Sequence, residues 1–125
     1  MEAGADRVQA PCAHYPACGG CRFQDLAYEA QIAAKEQQVR DALRRIGGVD
    51  EPPLDPILPA EEVFHYRNKL EYSFTSTEEG PALGLHRAGR WDEVLSIETC
   101  WLTTDLGNGI RNAVRDWARE ERLEA

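Results

Sequence analysis

The sequence predicts an α+β fold: an N-terminal cysteine loop, a long helix, a small antiparallel sheet and a C-terminal helix. Three observations carry this prediction. Apolar residues recur at helical spacing over 28–46 and again over 106–117. Residues 68–74 alternate in the period of a half-buried strand. Two further short apolar runs follow, divided by glycine-bearing turns, which favours hairpins. The chain has 125 residues and a mass of 14.0 kDa, room for one domain or one domain plus a tail. We expect residues 1–24 to form a tail and cysteine loop, and residues 25–125 an α+β domain.

The elements follow in order. Pro11, Pro16, Gly19 and Gly20 punctuate a loop over 10–21. Asp25 is the expected N-cap of the first helix, with Glu29 adding negative charge to its first turn. Tyr28, Ile32, Lys35, Val39, Ala42 and Ile46 form one face, and Gly47 or Gly48 is expected at the left-handed position that ends it. Four prolines make 49–59 an extended connection. Leu70, Tyr72 and Phe74 then alternate with Lys69, Glu71 and Ser73 as the first strand. Glu78-Glu79-Gly80-Pro81 reads as a turn, Leu83–His86 as a second strand, and 91–97 as a third. The last helix starts near Thr103 or Thr104 and carries Leu106, Ile110, Val114 and Trp117 on one stripe.

Composition narrows function. Apolar residues make up 42% and charged residues 29%, the balance of a globular chain. No run approaches the roughly 20 apolar residues of a membrane span. The first ten residues lack the apolar centre of a secretory signal, so we expect a cytoplasmic, monomeric protein with no membrane partner. Net charge is −8, which argues against nucleic acid, where a basic surplus is usual. The acidity is uneven, however. Residues 1–63 carry −5, residues 64–91 carry +1, and residues 92–125 carry −4. An anionic partner would meet the middle segment.

Cys12, Cys18 and Cys21 form C-x5-C-x2-C in the loop, and Cys100 lies 79 residues further on. Disulfides are one reading, though a C-x-x-C pair in a cytosolic chain more often serves metal or redox chemistry. Structural zinc is another, with His14 available in place of one thiol. An iron–sulfur cluster is a third: its larger body accepts three corners from one loop and the fourth from a distant element. Gly19 and Gly20 sit between two thiols, where a bare backbone can close in and aim N–H groups at sulfur.

The residues around the cysteines add a resemblance. Cys18-Gly-Gly-Cys21-Arg-Phe-Gln24-Asp-Leu-Ala-Tyr28-Glu-Ala-Gln31-Ile-Ala-Ala-Lys35 resembles the cluster loop and following helix of the iron–sulfur RNA uracil-5-methyltransferases. Arg44-Arg45-Ile46-Gly47-Gly48, Tyr66-Arg67-Asn68-Lys69-Leu70-Glu71-Tyr72-Ser73-Phe74, Leu83-Gly84-Leu85-His86 with Gly89-Arg90, and Cys100-Trp101-Leu102 resemble later segments of the same family, in order. The resemblance implies methylation of uridine C5 in ribosomal or transfer RNA from S-adenosylmethionine. It implies a 4Fe–4S cluster on Cys12, Cys18, Cys21 and Cys100, structural or RNA-positioning in role. It also implies a Rossmann-like methyltransferase domain and often an OB-type domain, and we expect neither within this sequence.

No catalytic residue is therefore expected here. The family's nucleophilic cysteine and its carboxylate base lie in the methyltransferase domain, and all four cysteines of this chain are already assigned. Gly107-Asn108-Gly109 lacks the later glycine of a cofactor loop. The expectation is a cluster-bearing central part that is inactive alone. Arg67, Lys69, His86, Arg87 and Arg90 are its candidate contacts to structured RNA, with Tyr66 or Trp91 available to stack an unpaired base. Asn68 reads as a structural hydrogen-bonding residue.

Overall fold

The computed structural model describes residues 4–124 and confirms the α+β class: helix α1 (Tyr28–Arg45), strands β1 (Ser73–Thr77), β2 (Gly80–His86) and β3 (Val94–Ser96), and helix α2 (Asp105–Glu120). The chain divides into two compact units. Residues 4–9 and 25–63 make one, and residues 10–24 and 64–124 the other.

The first unit is built on α1. The expected cap is not used. Ala27 occupies the N-cap position without a side-chain bond, while the Asp25 carboxylate pairs with Arg7 and its carbonyl accepts the Val8 N–H. An ion pair to a preceding segment has displaced the local capping bond. The apolar face is only partly covered: Tyr28 and Ile32 are half-buried, while Val39 and Ile46 are 51% and 88% exposed. The proline-rich connection runs back to the helix, donating the Ala60 N–H to Tyr28 Oη at 2.7 Å and the Ile57 N–H to Glu36 at 3.4 Å. Gly48, at φ +67°, takes the left-handed position, and the Val49 N–H then caps the Leu43 carbonyl.

The second unit holds the sheet, ordered β1-β2-β3 and antiparallel throughout. Its first strand starts at Ser73, five residues later than the alternation at Asn68 suggests. The preceding backbone is engaged elsewhere: the His65 and Arg67 N–H groups donate to the carbonyls of Trp101 and Leu102. The β1–β2 hairpin pairs Thr77 with Gly80 across a two-residue turn. At Gly84 the strands β2 and β3 approach so closely that a Cβ would sit 1.8 Å from the Leu95 carbonyl oxygen. The third strand is shorter than expected, and Trp91 lies outside it, 87% exposed.

Thr104 caps α2, its hydroxyl accepting the Gly107 N–H at 3.2 Å. The helix does not bury its apolar stripe. Leu106, Ile110, Val114 and Trp117 are exposed, and the buried face is Asn108, Arg111, Arg115 and Ala118. Hydrogen bonds to the segment bearing Cys100 select that face. The core gathers Ile97, Cys100 and Leu102, with Cys21, Leu70, Tyr72, Leu85 and Leu95 packed against them. Two of the four cysteines are thus part of the hydrophobic core.

Candidate thiol site and its surroundings

The cysteine loop is pinned to the β2–β3 hairpin by backbone bonds. Gly19 N–H donates to the His86 carbonyl at 2.9 Å, and Ala88 N–H to the Ala17 carbonyl at 2.8 Å, so Cys18 bridges to Arg87. A Cβ on Gly19 would meet the His86 oxygen at 2.8 Å, which explains the glycine. His14 ties the loop to the other strand end: its Nε2 accepts the Glu98 N–H at 3.2 Å. That nitrogen is therefore engaged, which weakens the reading of His14 as a metal ligand.

Cys100 arrives on a separate segment, held from behind by α2. Its N–H donates to Asn108 Oδ1 at 2.8 Å, and its carbonyl accepts from Asn108 Nδ2 at 3.1 Å. Arg111, 3% exposed, donates to the same Asn108 oxygen at 2.9 Å and to the Glu98 carbonyl. Arg115 extends the clamp to the Glu98 carboxylate at 2.8 Å. Sequence reasoning missed these supports. The signal was a stripe of Asn108, Arg111 and Arg115 at spacings of 3 and 4, invisible to a search for apolar periodicity.

The four free thiols then line one small cavity of about 20 Å3, walled by Leu85, Ile97 and Leu102. Burial is the largest influence on Cys18 and Cys21 and pushes both thiols above the usual range. The Gly20 N–H opposes it at Cys18 and the Gln24 amide at Cys21, while the neighbouring cysteines add repulsion to any thiolate. Ionised together, four thiolates against an apolar wall would repel one another unless a cation lay among them. Among the described residues, no three His, Cys, Asp or Glu side chains form a group that could hold a metal ion as they stand.

His86, Arg87, Arg90 and Trp91 come together beside this cavity, lining an open concavity of about 480 Å3 with Gly19 and Gly20. Its cations already have partners. Arg87 pairs with Glu93, and Arg90 with Asp92 at 2.9 Å, while His86 Nε2 shares a hydrogen bond with Ser73. Arg67 and Lys69 do not line that concavity. Both are exposed, and Lys69 pairs with Glu71 at 2.9 Å. Tyr66 is 58% exposed, so neither it nor Trp91 is a core residue.

Fold and site together define a small α+β module in which one loop and one distant segment present four thiols to a shared cavity. No family model matches the chain. Its relatives are informative. An uncharacterized RNA methyltransferase of Bacteroides thetaiotaomicron is 45% identical over 87% of this chain and 27% of its own length. Another, of Chlorobaculum tepidum, is 36% identical over 99% of this chain and 29% of its own. A third, of Nitratidesulfovibrio vulgaris, is 41% identical over 95% and 25%. The chain is therefore homologous to a stretch of proteins named as RNA methyltransferases, spanning about a quarter of their length.

Proposed function

We propose that this chain is the cluster-binding, RNA-positioning portion of an S-adenosylmethionine-dependent RNA uracil-5-methyltransferase. Cys12, Cys18, Cys21 and Cys100 hold a 4Fe–4S cluster in this reading. The observation that carries it is the convergence of four thiols from two separate segments on one apolar cavity. Cysteine thiolates are the standard ligands of such clusters. A lone tetrahedral zinc, with bonds of about 2.3 Å, would need its sulfurs only about 3.8 Å apart. A cluster's larger body accepts three corners from one loop and a fourth from a distant segment, which is how Cys12, Cys18, Cys21 and Cys100 are divided here. The cluster would supply a cross-link between loop and core.

The chain's own residues supply the rest. Asn108 and Arg111 hold the Cys100 backbone, so the fourth ligand is set by α2 and not by a free loop. Gly20 directs its N–H toward Cys18 Sγ at 3.4 Å. Next to this site, Arg87 and Arg90 can turn from Glu93 and Asp92 to phosphates, and Trp91 offers an exposed ring for an unpaired base. Ribosomal or transfer RNA is the proposed partner, and the relatives' name supports RNA as the substrate class.

Anaerobic purification tests the reading. A brown protein with equal iron and acid-labile sulfide is expected, and Cys100→Ser should lose most of both. A colourless protein with one zinc per chain would overturn the cluster assignment in favour of a zinc module.

A further inference from the structure

Gln24 lines the cavity and hydrogen-bonds two of the four cysteines. Its Nε2 donates to Cys21 Sγ at 3.2 Å, and its Oε1 accepts the Cys12 N–H at 3.3 Å. A primary amide has the donor and the acceptor needed for both bonds and carries no charge into an apolar cavity. A glutamate of the same length could keep only the Cys12 bond. The N–H···S contact is weak on a neutral thiol and stronger on an ionised sulfur, so it favours the state in which Cys21 acts as a ligand.

We propose that Gln24 is a positioning residue for the thiol site: its amide fixes the spacing of Cys12 and Cys21 and draws electron density from the Cys21 sulfur. This rests on the cluster reading above. Supporting groups that hydrogen-bond ligating atoms tune both retention and reduction potential. With the amide in place, a bound cluster is held longer and accepts an electron more readily.

The test uses the anaerobically purified chain and two variants. Gln24→Met removes both bonds at nearly constant length. Gln24→Glu keeps the acceptor for Cys12 and loses the donor to Cys21. Iron release to a chelator should be about 10-fold faster in Gln24→Met. Gln24→Glu should lie between it and the wild type. The midpoint potential, read by spectroelectrochemical titration, should fall in both variants. If the methionine variant cannot be loaded, the glutamate variant alone decides through its potential. Loaded variants whose potential and release rate equal the wild type overturn this proposal and leave the cluster intact. A wild type without iron and sulfide overturns the cluster reading, and this proposal falls with it.

Discussion

Burial and hydrogen bonding pull Cys18 and Cys21 in opposite directions, and burial prevails. In the metal-free chain both thiols are then harder to ionise folded than unfolded. Their neutral form stabilises the fold fully below the ordinary thiol pKa, and that contribution is lost as pH rises through and above it. Urea denaturation of the metal-free chain should show stability falling across that alkaline window. A Cys18→Ser/Cys21→Ser variant should show a flatter profile. The four cysteines were legible in the sequence because thiol chemistry is rare and their spacing is unusual. Gln24 was legible only as part of a motif. Its two bonds depend on how the loop closes, which no spacing rule reports.

At the scale of elements, α2 shows what apolar periodicity leaves out. The helix lies where its apolar periodicity predicts, with its cap at Thr104, but its apolar stripe is not its inward face. Leu106, Ile110, Val114 and Trp117 form a good stripe, yet a stripe states only which residues share a face. The face actually buried is decided by backbone groups of Glu98 and Cys100 that need partners in the interior. Asn108→Ala leaves the Cys100 N–H and carbonyl without their partner, and should cost about 1–3 kcal/mol in chemical denaturation. Ile110→Ser, on the open face, should change stability by no more than about 0.5 kcal/mol. The same contrast explains the first strand. Alternation over 68–74 is real, but His65 and Arg67 bond to Trp101 and Leu102, and ladder pairing begins only at Ser73. The Asp25 cap failed for a related reason, since Arg7 offers a charge partner that a local motif search does not weigh.

At the scale of the whole molecule, charge is distributed against the first impression that −8 gives. The candidate RNA contacts sit where acids are fewest, though most of them are paired with a neighbouring acid. Each contact must exchange that partner for a phosphate, so binding by this chain should be weak. Arg67→Ala/Lys69→Ala should lower affinity for structured RNA and flatten the slope of log K against log salt by about 1–2. Filter binding across a salt series reads both, and a double variant that matches the wild type would remove these two residues from the interface. The relatives extend well beyond this stretch.

Cys100 lies in the core cluster with Ile97 and Leu102, and Cys21 packs against it. A ligand that joined all four thiols would favour the folded chain, where they converge, over the unfolded one, and its free concentration would set part of the stability. On the cluster reading, cellular abundance would follow cofactor supply: the unliganded fraction would open more often and meet proteases.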